Sequence, residues 1–205
     1  MWSGRFERQW AKGENMDFKW HIETAWKLTF SNIVPLILMT LVMTVVSGFT
    51  FGILGPVTMA GYIQSVLLML REGREPKIQD IFSQMRLFFP LFGFVVLAFI
   101  AIMIGFLVLF LPDFLIVVSV TFCCIYMLPL MTDKGLGVVD AVKESYRMAV
   151  KGQVLDHVVV VVLYMGIIAL GGSVFIGFLF SCPLANVFLA SVYNEKTGAV
   201  PEIRP

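Results

Sequence analysis

Charged residues are distributed along the chain so that four long stretches contain none. Asp, Glu, Lys, Arg and His are absent from residues 28–70, 87–112, 114–132 and 158–194. A helix needs about 20 apolar residues to cross the hydrocarbon core of a bilayer. The first and last stretches are long enough for two crossings each, and the two middle stretches for one each. The pattern therefore predicts six membrane-spanning helices.

Glycine and proline mark the turns between the paired helices. Proline is tolerated in the first turn of a helix and disfavours helix at the residue before it. We therefore place helix starts near Pro56 and Pro112, with Pro183 as a third candidate. The predicted spans are residues 32–54, 56–70, 87–111, 113–131, 154–173 and 176–193.

An amphipathic segment precedes each predicted pair of spans, at residues 16–31, 77–89 and 137–151. Their apolar faces repeat at helical spacing, and a basic, aromatic amphipathic helix lies in the membrane interface. These faces are Phe18, Ile22, Ala25, Trp26 and Thr29; Ile78, Ile81, Phe82, Met85 and Phe89; and Val138, Val142, Ser145, Tyr146 and Ala149. The predicted fold class is an all-α polytopic membrane helix bundle, with six transmembrane helices as three hairpins, each preceded by a cytoplasmic-side amphipathic helix. We expect a single membrane domain with an N-terminal segment (1–31), a first hairpin (32–70), a linker helix with hairpin 2 (71–131), a linker helix with hairpin 3 (132–193) and a tail (194–205).

Lys and Arg give the predicted orientation. All 15 lie in the N-terminal segment, in the linkers 71–86 and 132–153, or in the tail, and the three opposite turns have none. Because positive residues stay on the cytoplasmic side, we expect a multi-pass protein of the cell membrane with both termini cytoplasmic. We also expect the first span to serve as an uncleaved insertion signal.

The composition agrees with a membrane location. Hydrophobic residues make up 59% of the chain and charged residues 14%, against about 45–50% and 25% in soluble domains. A soluble globule of this size cannot hide so much apolar side chain. The net charge of +1 also argues against nucleic acid as a partner.

Four short motifs resemble a bacterial family of six-span integral membrane proteins, whose members occur alone or as the membrane domain fused to glycerophosphodiester phosphodiesterases. The motifs lie at residues 24–32, at Leu109–Pro112, at 140–152, and at Cys182-Pro183 followed by Ala190–Tyr193. Asp113 replaces the glycine that is usual in the second motif. The resemblance covers residues 20 to 196 and implies the six-span topology. It implies no activity, because the family has none established.

Candidate catalytic chemistry is sparse. The chain has two histidines, three cysteines and no Ser/His/Asp set, HExxH motif, phosphate-binding loop or CxxC motif. The phosphodiesterase barrel of the fused family members needs about 250 residues, more than this chain has. Cys123, Cys124 and Cys182 lie in apolar runs, where free cysteine behaves as a small hydrophobe. We therefore expect no enzyme activity, no cofactor and no metal.

Polar groups inside the predicted spans form a second kind of candidate site. Gln64 and Asn186 could hydrogen-bond between helices, and Asp156 with His157 either marks a helix end or relays protons. No carboxylate lies deep in a span, which argues against transport driven by an ion gradient. The glycines Gly48, Gly52, Gly166, Gly171, Gly172 and Gly177 allow close helix packing, either within the chain or in a homo-oligomer.

The N-terminal segment is the most distinctive part of the sequence because it holds all four tryptophans. Trp prefers the headgroup region, and neighbouring cations attract anionic lipid. The candidate contacts with membrane lipid or a protein partner are Trp10, Trp20, Trp26, Arg5, Arg8, Lys12 and Lys19. The favoured function is a non-enzymatic membrane protein that organises lipid or a partner protein at the cytoplasmic face. The alternatives are a transporter or passive pathway for an amphiphile or small solute, and a membrane subunit that regulates a separate lipid-metabolising enzyme.

Overall fold

The computed structural model describes residues 16–108, 119–151, 154–172 and 175–199, and all regular structure within these ranges is helical. Residues 119–124 are helical and form the first part of one apolar helix, Ser119–Asp133. Two short 3-10 helices, Ile78–Phe82 and Met85–Leu87, lie between the helices Gly55–Glu72 and Phe88–Val108. The α-helices are α1 (Phe18–Ser31), α2 (Ile33–Phe49), α3 (Gly55–Glu72), α4 (Phe88–Val108), α5 (Met127–Asp133), α6 (Val138–Lys151), α7 (Val154–Gly172) and α8 (Phe175–Thr197).

The all-helical class and the membrane character are confirmed. Three helical stretches are long and apolar enough to cross a bilayer, namely Ile78–Ile104, Val154–Gly172 and Gly177–Thr197. A fourth candidate is the pair α1 and α2, which are bent by 87° at Asn32. Helices also lie at the remaining predicted positions in α3 and in 119–133, and the six-span count stays a prediction.

The most apolar helices lie on the outside of the bundle, and a less apolar helix with several buried polar side chains lies inside. Of the most apolar stretch of α8, 72% is buried, against 11% in α7 and in the stretch that includes α4. Buried Ser181, Asn186, Ser191 and Asn194 all lie on α8, whereas Leu170 of α7 is 86% exposed. A helix that is apolar on every side suits contact with hydrocarbon. The bundle therefore has α3 and α8 at its centre, with α4 and α7 on the outside.

Proline and glycine set the helix ends as predicted at one site and not at another. Pro56 lies in the first turn of α3, as expected, after a turn in which Phe51 and Gly52 have positive φ angles of 50° and 83°. Pro183 lies inside α8, so the candidate helix start at Pro183 is wrong, whereas the predicted span 176–193 starts one residue from Phe175, where α8 begins. Local preference would place this proline at a helix start, but α8 is packed in the interior and stays helical on both sides of Pro183. Pro112 lies outside the described residues.

The second amphipathic segment differs from the first and third because it forms 3-10 turns, not an α-helix. The carbonyl oxygen of Ile81 approaches α3 so closely that a Cβ on Gly61 would lie 2.2 Å from it. The carboxylate of Asp80 also fixes the segment to α3, accepting hydrogen bonds from Ser65 Oγ at 2.7 Å and from the Lys77 N–H at 3.1 Å. Docking onto α3 therefore shapes this segment.

Glycines also allow α7 and α8 to approach closely. A Cβ on Gly171 would lie 2.0 Å from Ser181 Oγ, and a Cβ on Gly177 would lie 2.7 Å from the Gly171 carbonyl oxygen. This contact lies within the chain, as one of the two interpretations predicts. Gly48, Gly52, Gly166 and Gly172 face open space instead.

Candidate functional site

A polar cluster joins the ends of α3, α5 and α8. Arg71 Nη2 donates a hydrogen bond to Asp133 Oδ2 at 2.9 Å, and Arg71 Nη1 donates a second one to Oδ1. Arg71 Nε donates to Asn194 Oδ1 at 2.9 Å, and the Tyr193 hydroxyl donates to Asp133 Oδ2 at 2.9 Å. Each of these helix ends belongs to a different predicted unit. The cluster therefore joins one helix end from each of the three predicted units.

The ion pair in this cluster is largely shielded from solvent, since the Arg71 and Asp133 side chains are 25% and 16% exposed. Burial alone would raise the pKa of Asp133, but the hydrogen bonds from Arg71 and Tyr193 outweigh burial and lower it. The hydrogen bond with Asp133 raises the pKa of Arg71 in turn. Two parallel N–H···O bonds between a guanidinium and a carboxylate are strong and directional. The pair stays ionised at neutral pH and holds the helix ends in place.

Helix α1 is fixed along α8 through a fully buried histidine. His21 Nδ1 lies 2.8 Å from Ser191 Oγ, and His21 Nε2 contacts the Glu195 carboxylate. Further along α1, the ring of Phe30 lies 5.3 Å from that of Phe180. On α8 the two contacted residues, Ser191 and Phe180, are 11 residues apart, which is about 16 Å along the helix. Helix α1 therefore runs antiparallel along α8.

The buried face of α1 differs from the predicted one. His21, Thr24, Ala25, Leu28 and Thr29 are buried, so Ala25 and Thr29 face the bundle as expected. Ile22 and Trp26 were expected on the same face and are exposed instead, Trp26 by 51%. The single apolar face predicted from the sequence is two neighbouring faces. The face with Ala25 and Thr29 is buried against the bundle, and the face with Ile22 and Trp26 points outward.

Outward apolar side chains recur beside exposed cations in all three amphipathic segments. We call this set the interfacial belt. Its apolar members are Ile22, Trp26 and Phe30 of α1, Ile78, Phe82, Met85 and Phe89 around the 3-10 helices, and Val139, Tyr146 and Val150 of α6. The exposed cations among them are Lys19, Lys27, Lys77, Arg86, Lys143 and Arg147.

The predicted lipid or partner contacts lie partly on this belt. Trp26 is a member, Trp20 is partly buried, and Lys19 is exposed with its Nζ 3.7 Å from Glu23. Trp10, Arg5, Arg8 and Lys12 lie outside the described residues.

The four predicted intramembrane polar residues do not meet in one site. Asn186 Nδ2 donates to the Cys182 carbonyl oxygen at 2.8 Å, a bond within α8 and not between helices. His157 is fully buried and its Nε2 donates to the Phe122 carbonyl oxygen at 2.8 Å. Gln64 Oε1 is buried with no partner, and Asp156 lies in the first turn of α7. No hydrogen bond joins any two of the four among the described residues, and the proton relay stays a prediction.

Sequence reasoning missed Arg71, Asp133 and Tyr193 as a cluster. A usable signal was present, because Arg71 and Asp133 each follow directly on a charge-free stretch, 28–70 and 114–132. Opposite charges at equivalent positions of repeated units are candidates for an ion pair. Nothing in the local pattern reveals that α3 and α5 lie side by side.

A cavity of about 210 Å³ lies between α3, the helix 119–133, α7 and α8. Its lining is almost entirely apolar and consists of Met59, Ile63, Val120, Thr121, Cys124, Ile125, Leu128, Tyr164 and Leu189. Residues from all three predicted hairpins contribute to it.

No family model, curated protein or solved structure matches this chain. The resemblance to the membrane domain of glycerophosphodiester phosphodiesterases therefore stays a prediction.

Proposed function

We propose that the protein is a non-enzymatic integral membrane protein that organises lipid at the cytoplasmic face through its interfacial belt. One observation carries this proposal. Helix α1 is fixed on α8 by buried His21 while Ile22, Trp26 and Phe30 face outward. A helix held in this way offers an aromatic surface whose conformation does not depend on binding.

The chemistry of the belt suits the headgroup region of a bilayer. Aromatic rings with a polar edge are favourable at that depth, and each Lys or Arg near an anionic surface adds about 1 kcal/mol of attraction. Glu23 and Glu144 pair with Lys19 and Arg147 at 3.7 Å and 3.2 Å. Within the described ranges the other four belt cations, Lys27, Lys77, Arg86 and Lys143, are exposed and in no ion pair, so they are available to anionic headgroups. Arg86 Nε also donates a hydrogen bond to Gln84 Oε1 at 3.4 Å.

The core favours this function over a solute pathway. Tyr62, Leu67, Leu70, Leu130 and Phe188 are among the largest fully buried side chains, and they belong to one core cluster to which α3, α5 and α8 all contribute. A filled centre suits a rigid scaffold. The two histidines are both held in structural contacts, which gives no support to catalysis.

Lipid retention by purified protein tests the proposal. The protein is reconstituted in phosphatidylcholine vesicles with a minor fraction of phosphatidylglycerol, re-extracted gently, and its retained lipids are counted by mass spectrometry. We expect enrichment of phosphatidylglycerol. Lys27→Gln and Lys143→Gln should each reduce this enrichment about fivefold, the factor that corresponds to about 1 kcal/mol per cation.

Lys134→Gln is the matched control, because Lys134 is an exposed cation outside the belt. Equal retention of both lipids, or an equal loss with Lys134→Gln, contradicts the proposal. A protein that co-purifies and is lost with Lys27→Gln would replace lipid by a partner protein as the ligand of the belt.

A further inference from the structure

The apolar cavity has a buried floor and an open rim. Ile63 of α3 and Leu189 of α8 are each only 3% exposed and form the floor. The lining residues of the helix 119–133 are all partly exposed, as is Tyr164 of α7. The cavity is therefore a pocket in the side of the bundle, at the junction between the second and third predicted hairpins.

Its distance from the polar cluster gives its depth. Leu128 lies five residues before Asp133, and Val120 lies thirteen residues before it. At about 1.5 Å per residue, the pocket extends from about 8 Å to about 20 Å from the charged helix ends. Half the hydrocarbon core of a bilayer is about 15 Å thick. With the polar cluster at the boundary of the hydrocarbon core, the pocket opens at the depth of the acyl chains and extends past the bilayer midplane.

We propose that this pocket is a binding site for an acyl chain of a membrane phospholipid. Acyl chains are the surrounding medium at this depth, and the pocket wall offers them apolar contacts. An apolar cavity of about 150 Å³ is already large enough to bind benzene, so 210 Å³ accommodates part of a chain. The site does not depend on the interfacial belt.

The size of the pocket selects a narrow occupant. A helix with its side chains is about 10–12 Å across, so a helix of another protein or of a second copy does not fit inside 210 Å³. A single acyl chain is thin and flexible enough to enter past the partly exposed rim. Water is disfavoured, because few polar groups line the wall.

Photo-crosslinking tests the site with phosphatidylcholine alone, so that anionic headgroup binding plays no part. The wild-type protein is reconstituted in phosphatidylcholine vesicles that contain a small fraction of phosphatidylcholine with a diazirine on one acyl chain. After irradiation, crosslinked peptides are mapped by mass spectrometry. We expect crosslinks concentrated on residues 120–128 and on Tyr164. Crosslinks spread evenly over the outer faces of α4 and α7, with none on 120–128, would overturn the proposal.

A rim substitution adds a second, independent measurement. Val120→Trp places a large side chain at the rim, and we expect it to reduce crosslinking to Tyr164 about tenfold, which corresponds to about 1.4 kcal/mol of lost binding. Val162→Trp is the control, since Val162 is an exposed residue of α7 outside the pocket. An equal reduction by both variants would overturn a specific pocket. If Val120→Trp does not fold, the wild-type crosslink map alone decides.

Discussion

Arg71 and Asp133 form the ion pair at which the ends of α3, α5 and α8 meet. Both lie at helix ends, and each is far from the other in sequence, yet two hydrogen bonds join them and Tyr193 and Asn194 complete the set. A shielded ion pair adds little net stability when it is intact, but removing one partner leaves an uncompensated charge. The cluster is therefore a sensitive point for mutation.

Asp133→Asn should destabilise the protein. The change keeps the shape of the side chain but removes the charge that both Arg71 hydrogen bonds and the Tyr193 bond use. Hydrogen bonds to charged groups contribute about 1.5–3 kcal/mol, and we expect a loss of this size in the free energy of unfolding, measured by denaturant titration in micelles. The control, Glu75→Gln in the exposed linker, should change it by less than about 0.5 kcal/mol. Equal effects of the two variants would remove the cluster from the determinants of stability.

The Asp133 carboxylate also makes the stability of the folded protein depend on pH, in a direction that its pKa shift predicts. Because the pKa of Asp133 is lowered in the folded protein, its contribution to stability is complete above its unfolded pKa of about 3.9 and disappears as the pH falls through the folded pKa. The stability gap between wild type and Asp133→Asn should thus be constant from neutral pH down to about pH 5 and then narrow. The comparison is a series of thermal unfolding curves in micelles. A gap that widens in acid would contradict the assigned shift.

Helices and turns show how far the sequence alone predicts this fold. Charge-free stretches predict the positions of α2, α3, α4, α7 and α8, because hydrocarbon penalises charge wherever the chain crosses it. Local sequence signals give the wrong helix start or helix type where tertiary packing overrides them. Pro183 continues a helix instead of starting one, and the segment before α4 forms 3-10 turns because Gly61 admits the Ile81 carbonyl.

Gly61→Ala tests the docking of this segment on α3. The new Cβ would lie 2.2 Å from the Ile81 carbonyl oxygen and 2.5 Å from the Asp80 carbonyl oxygen, so the 3-10 turn must move. Overpacking of this kind costs about 1–3 kcal/mol, seen as a lower thermal unfolding midpoint in micelles.

The matched substitution is Gly166→Ala in α7, where a Cβ meets nothing within 4 Å. Alanine is favoured over glycine inside a helix by about 1 kcal/mol, so this variant should be neutral or stabilised. A Gly61→Ala protein as stable as Gly166→Ala would mean that the segment adjusts freely.

At the scale of the whole molecule, the most apolar helices surround a core that contains both apolar and polar side chains. The polar cluster, buried His21 and the polar side chains of α8 are enclosed, while α4 and α7 present apolar surfaces. The sequence predicts this layout in outline from charge gaps and repeated segments. It does not predict which helices are central, because α8 is less apolar than α4 or α7 and only contacts between units place it inside.

The six-span prediction depends on whether both helices of the first predicted hairpin, α2 and α3, cross the membrane. Helices α2 and α3 have 17 and 18 residues, or about 25–27 Å at 1.5 Å per residue, slightly less than the hydrocarbon core of about 30 Å. Two exposed phenylalanines, Phe49 and Phe51, lie at their connecting turn. The hairpin therefore either reaches the outer surface or turns back inside the membrane.

Labelling of single cysteines distinguishes these two arrangements. In a background without the three native cysteines, Ile53→Cys reports on the turn and Lys134→Cys on the linker between α5 and α6; both sites are exposed. Because every Lys and Arg avoids the outer turns, a membrane-impermeant maleimide should label Ile53→Cys in intact cells and Lys134→Cys only after permeabilisation. Labelling of Ile53→Cys from neither side would indicate a re-entrant hairpin and reduce the number of crossings to four. Labelling of Lys134→Cys in intact cells would reverse the orientation and move the belt, with its cations, to the outer leaflet.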